Sequence, residues 1–242
     1  MRIALAVVVI AALQGTVALA DSAVPVGMFE VIRTHRGTDI DGKPPGDPEN
    51  ALKMTNRIIA FEHNGATFDG DTVVCHKIEG RSESIAVSDV MRRAFGNSSA
   101  DHSKIELGRT PVATRVPATV LRCLDADESG WTGLVIFTLA DGKFALTWDR
   151  DYLLILRRLA PEEPIRASFD CSKAASPTER VICADRNLAG WDRSISDGYE
   201  RLDPGMRVGA DQRTWFARRE GCGSNKTCIR WEMWLRADDI FR

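Results

Sequence analysis

The sequence lacks the short motifs that carry the common enzyme chemistries. It contains no G-x-S-x-G nucleophile motif, no H-E-x-x-H pair and no glycine-rich phosphate loop. Cys75 and His76 are adjacent, but neighbouring residues on a strand point to opposite faces, so they do not form a nucleophile–base pair. We therefore expect a protein that is not an enzyme and that uses no cofactor.

Strong charge and metal-binding spacings are also missing. The formal net charge is -2, whereas a nucleic-acid-binding chain usually has a strongly basic face. There is no C-x-x-C pair, and the four histidines are distant from the C-terminal cysteines, so we expect no metal site. Residues 125–130 begin like a calcium loop, but the twelfth position is Ile136 instead of glutamate, which favours an acidic hairpin turn.

Long apolar runs are absent after the first twenty residues. Arg2 precedes an apolar run over Ile3–Leu13, which is too short to span a bilayer, and Ala18-Leu19-Ala20 matches a signal-peptidase site. The sequence thus predicts a signal peptide over residues 1–20 and a periplasmic or secreted protein with no membrane span after cleavage. Export favours disulfide bonds for the six cysteines.

The sequence pattern of residues 21–160 is typical of a β-rich domain, and it indicates no role for this domain. Asn64-Gly65 and Asp141-Gly142 each separate two apolar runs, which is typical of tight hairpins. We expect a small antiparallel barrel or sandwich with one short helix at residues 89–95. Cys75 and Cys123 are the only cysteines of this region and are predicted to pair.

A linker at residues 161–167, with two prolines and two glutamates, precedes a helical domain over residues 168–242. Ser176-Pro177-Thr178-Glu179 has the pattern of a helix start with a capping box. Cys228, Trp231 and Leu235 recur at spacings of three and four, which predicts that Trp231 lies in the core of the last helix.

Four cysteines lie in the helical domain, namely Cys171, Cys183, Cys222 and Cys228. Antiparallel helices joined by a short turn return Cys222 to the level at which the preceding helix begins. We therefore predict two bridges, each joining one early cysteine to one late cysteine, and the sequence leaves open which early residue meets which late one. Such bridges compensate for a small core.

The same domain resembles the LprI-type lysozyme-inhibitor family over about residues 166–240. The matching positions are Phe169-Asp170-Cys171, Glu179, Ile182-Cys183, Leu188, Tyr199, Gln212, Trp215, Arg219, Cys222 and Cys228. The resemblance implies an exported bacterial protein with a small cysteine-linked helical domain, and c-type lysozyme as its partner. It does not extend to the β-rich domain.

Gln212, Trp215 and Arg219 lie one turn apart on one predicted helix face. They form either a partner-binding patch or part of the helical core, and the shared register of Trp215 with Cys222 favours the core. A lysozyme cleft is lined by two carboxylates, and an inhibitor would fill it with side chains that pair with them. Arg218 and Arg230 are the candidates for these side chains, which we call plug residues.

The alternative function is a non-inhibitory envelope protein whose β-rich domain binds a ligand or partner. A large cavity inside that domain would favour this alternative, whereas a filled β core with an exposed arginine–aromatic patch on the helices would favour the inhibitor. The sequence leaves the oligomeric state open.

Overall fold

The structure, a computed structural model, describes residues 24–36, 54–70, 73–95, 107, 109–125, 130–149, 152–202, 205 and 209–240. The predicted signal peptide lies outside these residues. Among the described helices, none combines the length and the apolar character needed to cross a membrane.

Within the described residues, nine strands form one antiparallel sheet and helices accompany it, so the mixed α+β class is confirmed. The strands are β1 (Gly27–Arg36), β2 (Ile58–Phe61), β3 (Ala66–Phe68), β4 (Val73–Cys75), β5 (Ile78–Ala86), β6 (Arg115–Cys123), β7 (Val135–Thr138), β8 (Phe144–Trp148) and β9 (Tyr152–Arg158). Their order is β4-β3-β2-β1-β9-β8-β7-β6-β5. The sheet is curled into a half-barrel. The curl brings β4, at one end of the strand order, close to β6, near the other end, and a disulfide joins Cys75 of β4 to Cys123 of β6.

Turn chemistry predicted two of the hairpins correctly. Asn64-Gly65 lies between β2 and β3, and Asp141-Gly142 lies between β7 and β8, with Gly142 at φ +81°. No apolar pattern predicts β5, because the middle of this strand carries glutamate, arginine and serine. This strand ends the sheet order and pairs with β6, and polar side chains are usual on such a strand.

Both faces of the sheet are covered by apolar side chains. Inside the curl, aromatic rings pack edge to face, as between Phe61 and Trp131, and between Trp131 and Trp148. Trp131 is fully buried there. The outer face lies under α1 (Val87–Phe95), whose residues Val90, Met91 and Ala94 are also fully buried. The described interior of the sheet is therefore filled.

The helical unit, residues 168–240, begins with a 3-10 turn and continues with four helices. They are the turn at Cys171–Lys173, α2 (Pro177–Ala184), α3 (Arg186–Arg201), α4 (Gly209–Gly221) and α5 (Lys226–Ile240). The predicted capping box is confirmed: Ser176 accepts a hydrogen bond from the Glu179 amide, and the Glu179 carboxylate accepts one from the Ser176 amide.

The helical unit packs against the sheet unit, residues 24–159, along a polar seam. Gly190 of α3 sits where a Cβ atom would lie 2.5 Å from the Asn56 carbonyl oxygen, so only glycine permits this approach. Beside it the Arg57 guanidinium stacks on the Trp191 ring and pairs with the buried Asp69 carboxylate. The predicted linker is itself packed, since Arg186 donates hydrogen bonds to the carbonyls of residues 161 and 163.

Candidate functional site

All six cysteines are paired, but the pairing within the helical unit differs from the prediction. Cys75–Cys123 forms as expected, with Cα atoms 5.8 Å apart. The predicted early-to-late bridges are wrong, because the pairs are Cys171–Cys183 and Cys222–Cys228.

The antiparallel return of α4 was nevertheless predicted correctly, since Lys226, which follows the end of α4, lies 3.1 Å from the carboxylate of Asp185, the N-cap residue of α3. Each cysteine instead meets a closer partner in sequence, at separations of 12 and 6 residues. Shorter loops cost less closure entropy. The two bridges therefore fix local turns, one before α2 and one between α4 and α5.

The three residues with the family spacing on α4 serve the interior of the helical unit. Trp215 is 2% exposed and donates a hydrogen bond from Nε1 to the Glu232 carbonyl oxygen, at 3.0 Å. Arg219 is buried and pairs with the buried Asp192 at 2.8 Å. Gln212 accepts a hydrogen bond from Arg236. This is the core arrangement that the register with Cys222 favoured.

The charged groups of this interior are held by several partners. Asp192 also accepts hydrogen bonds from the Ser168 amide and hydroxyl, at 2.8 and 2.5 Å, so its carboxylate is satisfied on both oxygens. The Arg219 guanidinium lies 5.0 Å from the Trp215 ring centroid. Burial lowers the pKa of Arg236, which stacks near the same ring. These residues hold α3, α4 and α5 together.

The last helix presents a different face from the one predicted. Trp231 was expected in the core, and this prediction is wrong: its side chain is 56% exposed, and that of Trp234 is 39% exposed. The apolar residues that α5 buries share a spacing of three or four, and they are Ile229, Met233, Ala237 and Ile240. Cys228 was a misleading guide to the core face, because it bonds sideways to Cys222.

Trp231 and Trp234 stack on each other on the outward face of α5. Their ring centroids are 5.2 Å apart and the ring planes differ by 17°. The two rings thus cover part of each other and form one exposed aromatic pair. We refer to Trp231 and Trp234 as the tryptophan knob.

Of the two predicted plug residues, Arg218 is exposed and Arg230 is not. Arg218 donates from Nε to the Glu232 carboxylate at 3.0 Å, and its side chain is 49% exposed. Its Nη groups make no hydrogen bond to any described residue. Glu232 follows Trp231 in the sequence of α5, and its side chain reaches Arg218 of α4. Arg230 is half-buried and its Nε is enclosed.

The described residues contain one cluster of potential metal ligands, formed by Cys75, Cys123 and Asp125. Both sulfurs are joined in a disulfide, which removes the thiolates that a metal would need. The Asp125 carboxylate accepts hydrogen bonds from the amides of His76 and Lys77, at 2.9 and 3.3 Å. It thus caps the turn between β4 and β5. Residues 126–129 of the acidic turn lie outside the described part.

Comparison with known proteins adds no relative. No protein-family model matches the chain, and neither curated proteins nor solved structures show a significant match.

Proposed function

We propose that this protein is an exported binding protein and that its helical unit inhibits c-type lysozyme, as the LprI resemblance implies. In this proposal it acts by binding and not by catalysis. The observation that carries the proposal is the tryptophan knob, which projects two large aromatic side chains from a helix whose opposite face forms the core.

Tryptophan is the side chain most enriched among the residues that dominate binding energy at protein interfaces. Exposing two such rings side by side gives up the free energy that their burial would contribute, so a partner that covers them supplies a physical reason for their position. Their mutual stacking fixes both rings before binding, which lowers the conformational entropy lost on association.

A protruding knob complements a concave partner surface. The lysozyme active site is a cleft with two carboxylates, and the helical unit exposes Arg218, which pairs with Glu232 of the helix that carries the knob. An exposed ion pair such as Arg218–Glu232 is worth at most about 1 kcal/mol, so Arg218 can exchange Glu232 for a partner carboxylate at little cost. Arginine binds carboxylates through two parallel hydrogen bonds.

The charge of the chain and its disulfides agree with this function. Residues 21–167 carry 18 basic and 22 acidic side chains, which gives this part of the chain a mild negative charge. Lysozymes of the c-type are usually basic, so long-range attraction would raise the association rate. Three disulfides suit an oxidising compartment such as the periplasm or the exterior of the cell.

The alternative, an envelope protein whose β-rich domain binds a ligand, has one supporting feature. The described interior of the sheet is filled, but an open apolar groove of about 840 Å³ lies at the rim, between the start of β1, the end of β2 and residues 159–161. Val26 in this groove is 46% exposed. An apolar fluorescent dye that binds wild-type protein but not V26D protein would favour this alternative.

A turbidity assay tests the inhibitor proposal. Purified mature protein should slow the clearing of a bacterial cell-wall suspension by c-type lysozyme, and W231A/W234A protein should not. Phe216→Ala is the matched control, because Phe216 is another exposed aromatic residue of the helical unit, at 41% exposure, but lies on α4. No inhibition at large molar excess of wild-type protein would refute the proposal.

Point variants are preferable to deleting the helical unit. Removing residues 166–242 would expose the seam, where Trp191 covers the buried Arg57–Asp69 pair. An uncovered buried ion pair destabilises the remaining sheet unit, and the loss of inhibition would then have two causes.

A further inference from the structure

Four arginines line one small pocket at the seam between the two units. Arg157 belongs to β9, Arg166 to the packed segment that follows it, and Arg186 and Arg193 to α3. The lining residues include only two carboxylates, Glu30 and Glu163. The pocket therefore has an excess of two positive charges among its lining residues.

The two carboxylates are shared and do not neutralise the four arginines. Glu30 accepts from Arg193 at 2.6 Å through one oxygen and from Arg157 through the other. Glu163 accepts two hydrogen bonds from Arg157, at 2.9 and 3.0 Å. Both carboxylates thus bind Arg157, and Arg186 reaches only backbone carbonyl oxygens.

Several guanidinium donors of this pocket are unused. Arg166 is exposed and donates no hydrogen bond to any described residue. The Nε of Arg193 is buried and has no acceptor. A buried donor without an acceptor destabilises the fold, and an added acceptor would remove this penalty.

We propose that this pocket binds a dianionic oxyanion, with a phosphate group as the ligand. A dianion matches the excess of two positive charges, and arginines are the preferred protein partners of phosphate because of their fork geometry. The pocket has a volume of about 20 Å³, enough for one oxygen-sized group, and it opens to solvent, where the rest of the ligand remains. This site lies on the seam and is independent of the tryptophan knob and its partner.

Binding at this pocket should also stabilise the folded protein. Its walls come from both units, with Glu30 and Ile58 from the sheet and Ala189 and Arg193 from α3. A ligand that bridges them binds the folded chain and not the unfolded one, so phosphate should raise the midpoint of thermal unfolding.

Isothermal titration calorimetry with inorganic phosphate tests the site, on the full mature chain and with chloride keeping the ionic strength constant. Wild-type protein should show saturable binding. Arg166→Gln should weaken the affinity about tenfold, because one set of charge-assisted hydrogen bonds is lost. Arg213→Gln, which removes an exposed arginine from α4, should leave it unchanged.

Glu163→Gln should change the affinity for phosphate in the opposite direction. It keeps the shape of the side chain but removes a carboxylate that competes with the ligand, so phosphate should bind more tightly than to wild-type protein. Glycerol phosphate in place of inorganic phosphate distinguishes a phosphomonoester from the free ion as the ligand. Three results would each overturn the proposal. They are binding that does not saturate with either compound, an equal loss of affinity in the Arg166→Gln and Arg213→Gln variants, and weaker binding by Glu163→Gln.

Discussion

The sheet unit and the helical unit each bury a charged pair, but they differ in where they place their tryptophans. The helical unit buries Trp191 and Trp215 and exposes two others. The sheet unit buries Trp131 and its aromatic neighbours between curled strands and carries apolar residues on both faces. The helical unit buries the charged pair Arg219–Asp192 and leaves Trp231 and Trp234 outside. Stability alone favours the reverse arrangement, with tryptophan inside and charge outside. The proposed binding of a partner to the outward face of α5 would account for the two exposed tryptophans.

Of the substitutions predicted here, removing one partner of the buried Arg219–Asp192 pair should reduce the free energy of unfolding the most. Asp192→Ala leaves the Arg219 guanidinium buried without a counter-charge, so we expect a loss of about 3–5 kcal/mol in the free energy of unfolding. Urea unfolding followed by circular dichroism measures it. Arg218→Ala, which breaks an exposed pair in the same unit, should cost less than about 1 kcal/mol. Equal losses would mean that the buried pair is not the centre of the helical unit.

The disulfides offer a second contrast between the units. Cys75–Cys123 spans 48 residues and Cys222–Cys228 spans 6, so loop-closure entropy predicts losses of about 4 and about 2 kcal/mol when each pair is replaced by serine. Thermal unfolding of the two double variants measures the difference. A larger loss from the short loop would show that this bridge does more than close a turn.

The seam can be tested with two glycines of the helical unit. Gly190→Ala places a methyl group against the Asn56 carbonyl oxygen, so we expect a loss of about 1–3 kcal/mol from forced backbone movement. Gly221→Ala, at a helical position with open space around it, should be neutral or stabilise by about 0.4–1 kcal/mol. If both variants unfold like wild-type protein, the two units are not packed as closely as described.

Low pH should destabilise the start of α2, and this loss of stability should be smaller than those predicted above. Hydrogen bonds from the amides of Ser176 and Ala175 hold the pKa of Glu179 below its usual value, against partial desolvation. A lowered folded-state pKa contributes stability above the unfolded pKa, near 4.3, and this contribution disappears as the pH falls through the folded pKa. Glu179→Gln should therefore flatten the pH dependence of stability below about pH 5. A variant with the same acid sensitivity as wild-type protein would contradict this role.

Sequence patterns predicted the elements that depend on local chemistry. The turns at Asn64-Gly65 and Asp141-Gly142 and the capping box at Ser176 are such elements, because the residues that form them are close in sequence. The pairing of the four C-terminal cysteines was not predictable in this way, since a disulfide requires Cα atoms within a narrow range of distances that only the packed helices determine.

The candidate site was visible in the sequence only in part. The repeat of Ile229, Met233 and Ala237 marks the buried face of α5 and places Trp231 outside. The spacing of Cys228, Trp231 and Leu235 predicts the opposite face as the core. Trp215 and Arg219 carry the family resemblance but lie in the interior. The knob has no sequence motif of its own, because its significance depends on which face of α5 the other helices cover.

The most direct test of the account is the affinity of the mature protein for c-type lysozyme, measured by isothermal titration calorimetry for wild-type and W231A/W234A protein. Both tryptophans are exposed, so the variant should fold and unfold like wild-type protein. We expect the variant to bind at least about 100-fold more weakly, since truncation of interface hot spots costs about 2 kcal/mol or more each, while Phe216→Ala binds like wild-type protein. Equal affinity of wild-type and W231A/W234A protein would contradict the claim that the tryptophan knob is the binding surface.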